Sequence, residues 1–187
     1  MGSWDTDRIY VIDPQSWKVQ KEFQSPGRPY GIAAYAGEFR VVVAHGEEDD
    51  RYLYRLTPDG GFDLSSKTAC PDMTGSHLAV EGTTIFLGQM HYHRILALNA
   101  DLSVERTIEL PTPRSAGFRF GEHGRFYMIS ADEEFENLEF GTIDIAQSQP
   151  RFESIRPLPS EARTLAYDGS QWWTSLRDEH EIASFTV

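Results

Sequence analysis

Two histidines in the run Gln89-Met-His-Tyr-His-Arg94 stand two residues apart. In an extended chain such residues point to one side, so His91 and His93 could offer two imidazoles to a single ion. Asp132 and Glu133 extend this set, with His45 and His77 as further donors, toward a divalent metal such as Mg, Ca or Zn. The plainer reading of the pair is a polar hairpin loop that binds nothing. The imidazoles of His45, His91 and His93 also suit acid–base work, because an unperturbed pKa of about 6.5 lets them exchange a proton near neutral pH. Four arginines, Arg28, Arg114, Arg163 and Arg177, stand with Tyr30 and His77 at positions that could hold an anionic small molecule. The acid runs Glu47-Glu-Asp-Asp50 and Asp132-Glu-Glu-Phe-Glu136 supply oxygen ligands of the kind hard cations need. Neither has the spacing of a calcium loop, and solvated loop charge accounts for both. No Gly-x-Ser-x-Gly elbow, phosphate-cradling glycine loop, dinucleotide fingerprint or paired-cysteine motif occurs, so the sequence implies no organic cofactor.

These residues are placed by a repeat. Arg8-Ile-Tyr-Val-Ile-Asp13, Arg51-Tyr-Leu-Tyr-Arg-Leu56, Arg94-Ile-Leu-Ala-Leu-Asn99, Glu139-Phe-Gly-Thr-Ile-Asp144 and Glu181-Ile-Ala-Ser-Phe-Thr186 begin 42 to 45 residues apart. Strand-like phrases at such a period are the signature of propeller blades. A second marker is a glycine at 37, 82, 124 and 169, each between two alternating runs that read as an inner and a second strand. The repeated phrase is the third strand. A polar fourth strand follows a turn, as suits the charged outer edge of a blade. Eight residues past each marker glycine stand His45, Met90, Asp132 and Arg177, in loops that share one face with those carrying Arg28, Tyr30, His77, Arg114 and Arg163. Such a mouth is the natural ligand site of a propeller. Of the adjacent Trp172 and Trp173, alternation sends one into the core and the other to the opposite side.

The stretch from Gly31 to Gly60 has a small-residue inner strand, a glycine turn, an apolar second strand, an Asp-rich loop and a third strand closing in Pro-Asp-Gly. That layout resembles the blades of the NHL, YVTN and streptogramin-lyase-like propellers, over nearly the whole chain. The resemblance implies an all-β fold of four-stranded antiparallel blades in one domain over residues 1–187. Counting gives seventeen strands, one more than four blades hold. The expected architecture is therefore about four blades closed through mixed termini, with five blades or a strand-sharing homo-oligomer as alternatives to a four-bladed monomer. The resemblance also implies a lyase or hydrolase in which a divalent metal polarises a carbonyl or ester oxygen. The alternative is a non-catalytic module that binds a protein or simple ligand.

Bulk properties narrow the partners. A formal net charge of -12 repels phosphate backbones and anionic headgroups, which argues against nucleic acid and membrane surfaces. No apolar run approaches the ~20 residues of a membrane span. The single cysteine, Cys70, forms no internal disulfide, and the start Met1-Gly-Ser-Trp4 lacks the basic and apolar regions of a signal peptide. Cytoplasmic localisation is the default on these grounds, with a periplasmic or secreted location the alternative.

Overall fold

The computed structural model describes residues 1–59, 61–147 and 150–187. The chain packs as two compact units, Met1–Leu78 and Ala79–Val187. In the first, β1 (Gly2–Ser3), β2 (Arg8–Ile12) and β3 (Val19–Gln24) form one sheet. A second sheet holds β4 (Arg28–Tyr35), β5 (Glu38–His45), β6 (Asp50–Thr57) and β7 (Gly61–Ala69). The third sheet, which opens at the junction of the units, comprises β8 (Leu78–Glu81), β9 (Thr84–Gln89), β10 (Arg94–Leu98) and β11 (Val104–Glu109). The fourth comprises β12 (Arg114–Phe120), β13 (Phe126–Ala131), β14 (Leu138–Ile143) and β15 (Phe152–Leu158), and the last β16 (Ala166–Tyr167), β17 (Trp172–Leu176) and β18 (Glu181–Phe185). Every pairing is antiparallel and joins strands consecutive in sequence. No helix among the described residues is long and apolar enough to cross a membrane.

The chain is thus a β-propeller with five blades rather than about four. The correction comes from Gly2–Ser3, which pairs with β2 through Gly2↔Ile9 and Ser3↔Arg8. That pairing gives the first repeated phrase a sheet of its own, so five third strands mean five sheets. The mixed-termini arrangement expected from the strand count is absent from the described sheets: β2 and β3 join β1, while β17 and β18 join β16.

The marker glycines behave as their spacing predicts. Gly37, Gly82, Gly124 and Gly169 all take positive φ, between 58° and 99°, the region that a side chain penalises. Each outer strand joins its third strand with one register shift, at Val11/Ile12, Leu53/Arg55, Ala97/Leu98 and Phe140/Gly141. Such bulges twist an exposed edge away from further pairing, and the outer strands are polar as expected.

Alternation then builds the cores. In the first unit Val41 and Val43 of β5, and Tyr54 and Leu56 of β6, pack with Ile9 of the first sheet and with Phe23. In the second unit, Phe126 and Met128 face Ala79, Phe86, Ile95 and Ile108. Their alternates Tyr127, Ile129 and Ala131 face Leu165, Trp172 and Leu176. Tyr127 stacks on Phe140 at 5.4 Å, and Trp172 lies 4.6 Å from Tyr127. Trp173, half-buried, donates its indole N–H to Asp168 at 2.8 Å and so serves the preceding turn.

Candidate functional site

The chemistry-bearing side chains sit where the inner strands begin and where the loop from second to third strand turns back. Arg28 opens β4 opposite Ala44, and Arg114 opens β12 opposite Ala131, so each faces the loop that leaves its partner strand. Each arginine meets a carboxylate there: Arg28 reaches Asp49 at 2.7 Å and Arg114 reaches Glu133 at 2.8 Å. Sequence reading named these arginines, and Glu133 as a metal ligand, but not the pairing, because pairing depends on how two loops fold together.

Around Asp49 the first unit builds a compact cluster. Arg51 donates Nη2 to the Asp49 carboxylate and Nε to the Asp49 carbonyl at 3.1 Å. Its guanidinium lies 3.6 Å over the ring of Tyr30, a cation–π distance. Trp4 packs on the same tyrosine with ring centroids 4.6 Å apart. The Tyr30 hydroxyl points to Asp49 at 3.4 Å, and burial raises the phenol above its ordinary value. Burial also lowers Arg51, whose carbonyl accepts the Cys70 amide at 3.0 Å. Trp4 and Arg51 were missed as members of a site, and Asp49 was read as solvated loop charge within the run Glu47 to Asp50. The available signal was the arginine heading the first three repeated phrases: Arg8 pairs with Glu22, Arg51 with Asp49, and Arg94 donates to Gln89 at 2.7 Å.

His45 ends β5 and shares a 2.9 Å hydrogen bond between its Nε2 and the Tyr54 hydroxyl. Tyr52 meets the imidazole edge-on at 5.3 Å, and the Lys67 ammonium lies 3.9 Å over the Tyr52 ring. Burial, and then Lys67, lower the His45 pKa, so the ring is neutral at neutral pH. Burial raises the Tyr54 phenol. The described geometry thus holds the His45 imidazole against the Tyr54 phenol.

The expected metal set is not brought together. His91 lies exposed in a 3-10 turn, Met90–Tyr92, and His93 caps that turn in the left-handed conformation at φ 51°. The extended geometry that would aim both rings at one ion is therefore not formed. The left-handed position explains His93 by itself: Asp7, Asp49 and His180 take positive φ at the corresponding turns before β2, β6 and β18, and Asp and His are enriched in that region. Asp132 spends its carboxylate on its own loop, accepting from the Asn137 side chain and from the amides of Glu136 at 2.9 Å and Asn137 at 3.2 Å. Those bonds, the Asn137 side chain first, hold it below the usual carboxylate range. Glu133 is paired with Arg114. Among the described residues no three His, Cys, Asp or Glu side chains gather as a metal group. The described residues therefore do not fit a divalent ion.

In the second unit, Arg163 lies 4.9 Å over the Phe135 ring and donates to the carbonyls of Ser160 and, at 3.0 Å, Ala162. Burial, and then the neighbouring Arg177, lower its pKa. Arg177 is exposed, and its amide bonds the Glu161 carbonyl at 3.1 Å. His77 is half-buried, next to the point where β4 passes the start of β8: a Cβ on Gly31 would fall 2.7 Å from the Leu78 nitrogen.

No protein-family model matches the sequence, and no curated protein matches it either. Solved structures do. A catalytically inactive virginiamycin B lyase from Staphylococcus aureus with quinupristin is similar at 17% identity and TM-score 0.60, over 98% of this chain and 61% of that one. A chain of the nidogen/laminin complex is similar at 13% identity and TM-score 0.68, over 96% and 86%. The PQQ-bound aldose sugar dehydrogenase of Streptomyces coelicolor is similar at 11% identity and TM-score 0.61, over 98% and 76%. The chain spans about three-fifths of the length of the lyases it matches. At these identities the likeness is one of fold, and the fold is a β-propeller like those of the streptogramin lyases and of the nidogen/laminin complex, built here from five blades.

Proposed function

We propose that this propeller, as a single domain, binds a small molecule at the strand ends where the inner strands begin, beside the His, Asp and Arg side chains that stand there within a unit. The observation that carries the reading is a repeated one. Arg28 and Arg114 head equivalent inner strands, and each pairs with a carboxylate on the loop from second to third strand, Asp49 or Glu133. Each unit also lays a guanidinium over an aromatic ring, Arg51 over Tyr30 and Arg163 over Phe135. Blade packing alone requires no such pairs, since the apolar clusters account for the cores. Arginines beside aromatic faces are what a site for a small organic anion needs.

A lyase or hydrolase is the catalytic form of this reading, in keeping with the lyase among the similar structures. His45, neutral and hydrogen-bonded to Tyr54, would move the proton. The test is a ligand screen by thermal shift and NMR with small aromatic acids, their neutral amides and cyclic esters, on wild type, Tyr30→Ala and Arg163→Ala. Binding raises Tm by mass action, and the expected result is a set of ligands weakened in one or both variants. No binder, or binders indifferent to both variants, would overturn the reading and leave the protein-interaction module in its place.

A further inference from the structure

The arginines at the strand ends are not equally occupied. A guanidinium presents Nε–H and Nη2–H side by side, and a carboxylate fits that edge with both oxygens. On Arg51 the edge is full: Asp49 takes Nη2 with its carboxylate and Nε with its carbonyl. Arg163 is tied to two backbone carbonyls. On Arg114 the edge is half used. Its Nη2 pairs with one Glu133 oxygen at 2.8 Å, while its Nε is buried and has no hydrogen-bond partner among the described residues.

A buried N–H without an acceptor is costly, and the cost is recovered when an acceptor arrives. The two members of the pair also differ in freedom. The Arg114 side chain is 22% exposed, whereas that of Glu133 is 50% exposed, on the loop between β13 and β14. Glu133 is therefore the member that can swing into water. Phe135, two residues further along the loop, is half-buried and offers an apolar face beneath Arg163.

We infer that the Nε/Nη2 edge of Arg114 docks the carboxylate of an organic monocarboxylate, which displaces Glu133 and replaces a one-oxygen contact with a two-oxygen one. This rests on the small-molecule reading above and names the ligand class for it. A single charge fits better than several, because the net charge of -12 opposes the approach of a polyanion.

Benzoate is the probe and benzamide its neutral counterpart. The arginine Nε–H signals of the folded protein are followed by ¹⁵N NMR, with that of Arg114 assigned by its loss in Arg114→Lys. Benzoate is expected to move the Arg114 Nε–H signal saturably, and benzamide to leave it in place. Glu133→Gln removes the competing carboxylate and should tighten benzoate several-fold. Arg114→Lys should weaken it at least about tenfold, the loss expected when one partner of a hydrogen-bonded charge pair is removed. An Arg114 signal indifferent to benzoate in both wild type and Glu133→Gln overturns the inference, as does unchanged affinity in Glu133→Gln. The second criterion holds even if Arg114→Lys does not fold. Ligands that bind through Tyr30 or Arg163 while Arg114 stays unmoved would remove this inference and leave the proposed function standing.

Discussion

Burial pushes the Cys70 thiol up to about 12, so at neutral pH it is a small apolar side chain rather than a thiolate. Alkylation by iodoacetamide is expected to be slower in the native protein by orders of magnitude than in denaturant. Rapid native labelling would show that the Arg51–Cys70 segment opens readily. His45 gives a prediction of opposite chemistry. Its folded pKa lies below the ordinary 6.5, so the unfolded chain binds the proton more readily. That contribution is fully present above pH 6.5 and is lost as pH falls through the window below it. Wild type should therefore lose more stability between pH 7.5 and 5 than His45→Gln, measured as urea midpoints, and equal losses would remove His45 from the acid response. The spacing of His45 from its marker glycine was legible in the sequence, which read it into the loop where the structure has it close β5. Its bond to Tyr54 was not, because it depends on cross-strand register. His93 shows the reverse error: two residues apart reads as one face only if the chain is extended, and the left-handed turn breaks that premise.

Close approach between neighbouring inner strands is the demand most specific to the blades. A Cβ on Gly31 would meet the Leu78 nitrogen and Ser76 oxygen at 2.7 Å, and one on Gly117 would meet the Leu165 nitrogen at 2.9 Å. These atoms are backbone and cannot rotate away. Gly31→Ala and Gly117→Ala should each cost about 1–3 kcal/mol, the range for overpacking, read from the denaturant midpoint at constant slope. Gly37→Ala is the contrasting case, since its Cβ would meet nothing within 4 Å. Only its left-handed φ opposes the change, at about 1–2 kcal/mol. A Gly31→Ala protein as stable as wild type would mean that the inner strands are not so close. The turn glycines were legible from their spacing and from the strands on either side. Gly31 and Gly117 were not, because the atoms they admit belong to the next blade.

Blade count was the part of the architecture that eluded the sequence, since a two-residue strand has no periodicity to read. Gly2–Ser3 nevertheless settles it, and the N-terminal residues are tied down in several ways. The Met1 amino group donates to the Tyr10 carbonyl at 2.9 Å, and Trp4 covers Tyr30. Deleting Met1 to Thr6 should therefore cost at least about 1 kcal/mol, given the ~0.5–1.5 kcal/mol of one aromatic pair and the lost strand. Deleting Met1 to Phe23 should cost far more, because Ile9 and Phe23 cover Val41, Val43, Tyr54 and Leu56. Thermal melts of the two truncations check this. A short truncation that melts with wild type would show β1 to be dispensable.

Strand order carries one more consequence. In every sheet each strand bonds only to the strand just before or after it in the chain. All-β domains usually fold slowly because distant segments must find one another. Here each pairing closes only a short loop, so a hairpin can form before its neighbours are in place. Refolding should accordingly be fast for a β protein, and native-state hydrogen exchange should release protection sheet by sheet, in cooperative blocks that match single blades.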